Sequence, residues 1–405
     1  MVRALGSKTD HGNDVKGEGI DSVSLGALAD IGVNLHQLTR EVDTNNKSSE
    51  TMSLCKEFSI AGYVHVLNGR GGLPKVTLSH PSGSCLDIYL LGANILSWTL
   101  PSGGEVFYTP DGIVFSEENP IDWGTIFCFP QFGEGEDRGT LTDKFPLPFD
   151  GFAKSLSWTI TQTGLHEDKH GTCPYVIIEL HDSEATRAVW NHSFHLTMEI
   201  TLEHAALNVS LSVKNTSSND VLECSAAFKS HVAVMDVEDL STNYIGFDDC
   251  IFLDNTLHPT KPRVRFTGDE RKHGCLKLTG PTDRVYLNTK NDTGIEIGSG
   301  CTVLLRNTCH LGTSEFNDRA IFNPWNESDP KNYRWYSGLA IGAIGRLLRI
   351  DPDDTHSSSI RLEVKDNSQQ IISTLEESDQ KLASDPNSSW PKFNVPAETL
   401  PRDLQ

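Results

Sequence analysis

The segment Leu207-Asn-Val-Ser-Leu-Ser-Val213 alternates apolar and polar residues at every step. Only an extended strand with one buried face satisfies a period of two over that length. Runs of similar texture recur along the chain, among them Tyr175–Leu180, Phe194–Ile200, Val221–Phe228 and Thr302–Leu305. They are rich in β-branched and aromatic residues and are separated by clusters of Gly, Asn, Asp and Pro, the residues that turns require. The cluster Asn215-Thr-Ser-Ser-Asn-Asp220 predicts a hairpin turn between two such strands. No heptad pattern, phosphate-binding loop or dinucleotide fingerprint interrupts the series. Many short strands without crossover helices predict an all-β protein, with antiparallel sheets packed as one large sandwich.

Composition then narrows the function classes. Of 405 residues, 37% are hydrophobic and 22% charged, as in a globular protein with a sizeable core. Lys and Arg total 34 against 55 Asp and Glu, a net charge of −21. Nucleic-acid binding needs clustered cations to displace phosphate counterions, so that class is excluded; docking on anionic lipid is disfavoured for the same reason. No apolar run approaches the roughly 20 residues of a membrane-spanning helix. Nine scattered cysteines without a CxxC pair are expected to be reduced and mostly buried. The polar start of the chain carries neither a secretory signal nor an Arg-rich transit segment, which makes a cytoplasmic location the expectation.

Residues 1–54 are read as a polar, disordered extension that holds at most one weak helix. A single domain is expected over 55–365, followed by a polar tail over 366–405 with a short helix near Ile371–Leu382. Both extensions are candidate arms for a protein partner.

Six segments, in order over roughly residues 60–365, give the domain a family resemblance. They are Gly92–Trp98 with Gly104–Tyr108, Cys128-Phe-Pro-Gln-Phe-Gly133, Leu147-Pro-Phe-Asp-Gly-Phe-Ala-Lys154 with Trp158, Ala227–Asp236, Asp283–Leu287, and Asp318–Trp325. Together they resemble the hexose-6-phosphate mutarotase (glucose-6-phosphate 1-epimerase) branch of the galactose-mutarotase-like family. The resemblance implies a β-supersandwich, a sugar or sugar-phosphate ligand, and chemistry that uses side chains alone, with no cofactor.

Mutarotation opens a sugar ring and recloses it on the other face. A base takes the anomeric hydroxyl proton and an acid protonates the ring oxygen. By the resemblance, the acid is a His where this chain has Lys229, and a second, sugar-holding His stands where it has Asp150. The basic Glu aligns near Gly342, and no Asp or Glu occurs between Asp329 and Asp351. The family's phosphate-binding Arg is replaced by Asp122, and Lys154 stands in place of another Arg. An Arg-to-Asp exchange turns a bidentate phosphate clamp into a like charge.

These departures leave two readings open. In one, Asp150 and Lys229 are a rewired acid/base pair, with His231, two residues along the same strand, as a substitute acid. In the other, they form a salt bridge that fills a retired pocket, and His231 is a hydrogen-bonded wall residue. Gln131 and Asp236 are candidates for binding sugar hydroxyls or, equally, for stabilising turns. Trp98, Trp158 and Trp325 are expected in the core, with stacking on a sugar face as the alternative. His192, His195, Cys309 and His310 show no metal-ligand spacing, and no metal is expected. Activity is therefore open: a sugar-binding protein with impaired epimerase chemistry, an active epimerase with a rewired site, or a non-catalytic subunit.

Overall fold

A computed structural model describes residues 44–134, 147–239, 241–256, 263–267, 276–289, 292–308 and 316–367. The expected tail helix, Cys309 and His310 lie outside these residues. Numbered in chain order, eleven strands form the larger sheet: β1 (Val64–Asn68), β2 (Pro74–Ser79), β3 (Cys85–Tyr89), β4 (Asn94–Thr99), β5 (Thr125–Cys128), β10 (Leu222–Ala233), β12 (Ile251–Asp254), β13 (Arg263–Phe266), β14 (Thr282–Tyr286), β17 (Asp318–Asn323) and β18 (Tyr336–Ile350). Their spatial order is β1-β2-β3-β4-β5-β10-β18-β17-β14-β12-β13. The smaller sheet contains β6 (Thr159–Asp168), β7 (Gly171–His181), β8 (Phe194–Leu202), β9 (Ala206–Asn215), β11 (Thr242–Ile245), β15 (Thr293–Ile297), β16 (Cys301–Asn307) and β19 (Thr355–Asp366), ordered β11-β15-β16-β19-β9-β8-β7-β6. Pairing within both sheets is antiparallel. The architecture is the β-supersandwich that the resemblance implies.

The alternation read from Leu207–Val213 is realised in β9, and β8 alternates buried and half-buried positions along its whole length. The core lies between the sheets. Phe127 of β5 packs on Phe228 of β10 and on Trp158, and Phe129 packs edge-on against Trp190 and Phe194. Trp98 and Trp158 are buried as expected. Trp325 is not: it is half-buried beside the Tyr333 ring, because the chain leaves β17 at Pro324 and enters a one-turn helix (Trp325–Ser328) outside the core.

Two further expectations meet a different structure. Asn215–Asp220 is not a hairpin turn, since β9 and β10 belong to different sheets. The segment is an arch between the sheets, and the buried Asn215 amide holds it by donating to the carbonyls of Asp220, Ile350 and Asp351. The last two belong to the parallel crossing from β18 to β19, so one side chain ties both arches together. At the other end of the domain, helix α1 (Thr44–Phe58) begins inside the stretch read as an extension. It is anchored by Thr51 Oγ1 donating to Asn68 Oδ1 at 2.8 Å, and by Thr163 Oγ1 donating to the Phe58 carbonyl.

Candidate functional site

Side chains two residues apart on a strand share a face. Phe228 packs toward the core, so Ala227, Lys229 and His231 project from the opposite face of the larger sheet. The register sets their neighbours: Lys229 lies between Ile126 of β5 and Ala340 of β18, and His231 opposite Gly338. The floor of this face is apolar and small. Ile126, Cys128, Ala227, Ala320, Ala340, Val285 and Ile344 form one buried cluster, with Phe132 over it.

Asp150 reaches this face from a sharp turn. Asp150 and Gly151 both have positive φ, 60° and 75°. Asp tolerates that conformation better than most residues, and Gly151 must be Gly because a Cβ there would lie 2.1 Å from the Phe129 carbonyl oxygen. The Asp150 backbone N–H donates to Gly133 O, and the Gly133 N–H donates to Asp150 Oδ1 at 2.8 Å. Oδ2 then meets Lys229 Nζ at 2.8 Å, with both side chains largely buried. The ammonium also lies 4.6 Å from the Phe322 ring centroid, 4.8 Å from Phe149 and 5.8 Å from Phe132. Burial opposes charge on each partner. The ion pair and its hydrogen bonds outweigh it, holding the Asp150 carboxyl below its ordinary value and the Lys229 ammonium above its own.

His231 is buried within a ring of aromatics: Trp123 at 4.7 Å, and Phe322 and Tyr336 each at 5.4 Å. Its Nδ1 lies 3.3 Å from the Gly124 carbonyl. Burial first, and then the Lys229 charge, push its pKa down to about 3. At neutral pH it is an uncharged wall residue. Tyr108 extends the ring, stacked on Tyr336 at 5.5 Å, and its hydroxyl donates to Asn332. Trp123, Phe149, Phe322 and Tyr336 are not among the site residues expected from sequence, although Phe149 and Phe322 lie in motif segments. Strand register brings three of them to His231: Tyr336 opens β18, Phe322 of β17 lies opposite Gly338, and Trp123 leads into β5.

The remaining candidates fall into separate networks. Lys154 Nζ meets Asp122 Oδ1 at 2.6 Å, so these two positions neutralise one another. Gln131 Nε2 donates to the carbonyls of Gly133 and Pro148 and closes the turn that carries Asp150. Asp236, beyond the end of β10, accepts from the Glu238 N–H and pairs with Arg334. That hydrogen-bonded ion pair is the main reason its carboxyl titrates below the usual range. The fold thus groups Asp150, Lys229 and His231, and leaves Asp236 in a network of its own. Gly342 lies opposite Ala227 on one side and Asp318 on the other. A Cβ there would stand 2.3 Å from Ala226 O and 2.5 Å from the Ala227 Cβ. A Glu cannot occupy this position without moving β10.

The aldose 1-epimerase family model matches residues 74–343, more than half of the chain and the span that carries these strands. The chain belongs to the aldose 1-epimerase family. It is 23% identical over 268 residues to a protein of Cenchrus ciliaris named "Putative glucose-6-phosphate 1-epimerase", covering 65% of this chain and 74% of that one. It is 28% identical over 219 residues to an Escherichia coli protein of the same name, covering 54% of this chain and 65% of the relative. Among solved structures, a galactose mutarotase-like protein from Clostridium acetobutylicum superposes with a TM-score of 0.61 at 16% identity, over 75% of this chain and 98% of the other. The galactose 1-epimerase of Lactobacillus acidophilus does so at 0.53 and 12%, over 75% and 99%. These structures share the fold. The low identities mark this chain as a divergent member of the family.

Proposed function

We propose that this chain is a sugar-recognising member of the aldose 1-epimerase family that no longer catalyses ring opening. The observation that carries the reading is the Lys229–Asp150 pair, buried, 2.8 Å long and enclosed by three Phe rings. A general acid must release its proton near neutral pH. Lys229 is instead held protonated by Asp150, and Asp150, kept ionised by Lys229, is a weakened base. His231 has only its neutral N–H to offer. No carboxylate stands in the segment where the family's Glu aligns, and Gly342 leaves no room for one.

Support for sugar recognition comes from the family and from a cleft of ≈ 540 Å³ that shares Tyr108 with the aromatic ring and is bordered by Arg70, Glu105 and the Lys75–Asp87 ion pair, apart from Asp150 and Lys229. Polar groups beside an aromatic surface suit a hydroxylated ring. The Asp122–Lys154 pair argues for weak phosphate recognition, because the one cation retained there already has a partner.

Anomer-exchange NMR on glucose-6-phosphate tests the reading. Exchange with the full-length protein should match the buffer rate, while glucose perturbs the spectrum of the protein near Tyr108. Accelerated exchange that survives repurification would overturn the loss of catalysis, and the absence of any sugar-induced change would overturn sugar recognition.

A further inference from the structure

The β2–β3 turn of the larger sheet meets the β6–β7 hairpin of the smaller one. His80 sits in the turn after β2, Asp168 ends β6, and Cys173 lies early in β7. A ring nitrogen of His80, a carboxylate oxygen of Asp168 and the Cys173 sulfur all lie within 4.8 Å of one another. His80 and Cys173 are buried, at 3% and 2% exposure. His204, from the turn between β8 and β9, stands edge-on to His80 at 6.2 Å between ring centroids, and His170 stacks on His204 at 5.3 Å.

The His80 ring is oriented by Ser82, whose Oγ lies 2.8 Å and whose backbone nitrogen lies 3.1 Å from Nδ1. Its other nitrogen, Nε2, is buried and has no hydrogen-bond partner. A buried polar atom left so costs about 1–3 kcal/mol, and such atoms are rare in native folds. Cys173 Sγ donates to the Gly171 carbonyl at 3.8 Å and Asp168 Oδ1 accepts from the His170 N–H at 2.7 Å, but neither bond serves His80 Nε2. A cation gives His80 Nε2 a partner and uses the sulfur and carboxylate that stand beside it.

We propose that His80, Asp168 and Cys173 form a site for a zinc-class divalent cation, with His204 or a water as the fourth ligand. One nitrogen, one oxygen and one sulfur donor is a set that Zn²⁺ accepts. Bonds of about 2.0–2.3 Å place the N, O and S ligand atoms of a tetrahedral site about 3.3–3.6 Å apart, so a cluster within 4.8 Å needs a contraction of at most about 1.5 Å. On binding, the Cys173 thiol loses its proton to solvent and its thiolate bonds the metal. In the structure His80 accepts the Ser82 N–H at Nδ1, which puts its proton on Nε2. The ring stays neutral when the metal binds: Nε2 gives up that proton to bond the metal, and Nδ1 takes one up and donates it to Ser82 Oγ in place of the bond it accepts from the Ser82 N–H. The cation would clip the β2–β3 turn to the β6–β7 hairpin.

Titration of the EDTA-stripped full-length protein with Co²⁺ tests the site. One equivalent should bind, with a thiolate-to-cobalt charge-transfer band and the strong visible bands of a tetrahedral ion, and Zn²⁺ should bleach both. Cys173→Ser should abolish the charge-transfer band. His80→Gln and Asp168→Asn should each weaken binding at least about tenfold, and they carry the test should Cys173→Ser not fold. His195→Asn serves as the control, because His195 pairs with Glu179 and stacks on His181 in a separate, more exposed group. The proposal is overturned if the folded protein binds no stoichiometric cobalt, if the band persists in folded Cys173→Ser, or if His195→Asn loses binding that His80→Gln keeps.

Discussion

Lys229 on β10 and Asp150, 79 residues earlier in the chain, close an ion pair of 2.8 Å on the outer face of the larger sheet. Each holds the other charged.

Removing one partner of this pair should be far worse than removing both. Asp150→Asn leaves a buried ammonium without a counter-charge and should cost about 3–5 kcal/mol; Asp150→Asn with Lys229→Met should recover much of that loss. The pair also has a pH signature. The Asp150 contribution is complete above its unfolded value of about 3.9 and is lost as acid protonates the depressed carboxyl. The Lys229 contribution is complete below about 10.4 and is lost at still higher pH. Urea denaturation of the four proteins of the cycle measures the coupling, and additive single and double effects would contradict it.

His231 should set an acid limb of its own. Its folded pKa near 3 lies below the unfolded value of about 6.5, so only the unfolded chain binds this proton across that window. Stability should therefore fall as pH drops from about 6.5 toward 3, by about 1.4 kcal/mol per unit from this residue, and lose no more below that. His231→Gln should flatten the limb, as read from unfolding free energies at stepped pH. An unchanged slope would show that the ring is not held neutral.

Gly342 should resist any side chain. With a Cβ 2.3 Å from Ala226 O, Gly342→Ala should lower stability by about 1–3 kcal/mol, and Gly342→Glu should yield no soluble native protein. Expression yield and the thermal midpoint report both. A native-like Gly342→Glu protein would show that β10 and β18 can separate.

Freeing Lys154 should create phosphate sensitivity. Inorganic phosphate should leave the thermal midpoint of the unmodified protein unchanged while raising that of Asp122→Asn, because the ammonium loses its partner at 2.6 Å. The substitution itself should cost no more than about 1 kcal/mol, since Asp122 is half exposed. An equal response in both proteins would contradict the neutralisation.

Much of the domain was legible in the chain itself. Period-two alternation in Leu207–Val213 and the β-branched runs determine strands, because a side-chain period is a local property of the backbone. The ordered motifs identify the family, and the resemblance sets Asp150, Lys229, Gly342 and Asp122 at its His, His, Glu and Arg positions as an expectation. What the tertiary structure decided depends on which strands adjoin. Asn215–Asp220 has hairpin chemistry, yet it crosses between sheets because the Asn215 amide finds carbonyls at residues 350 and 351, more than 130 positions away. Trp325 has core composition but emerges at the end of β17. That Asp150 and Lys229 meet at all, in an ion pair of 2.8 Å beside three Phe rings, is a matter of register between distant segments. Asp168 and Cys173 share the β6–β7 hairpin, but His80 stands on the β2–β3 turn, which only the folded sheets bring beside them. Local pattern determined the elements, and long-range register, which no local pattern encodes, determined their chemistry.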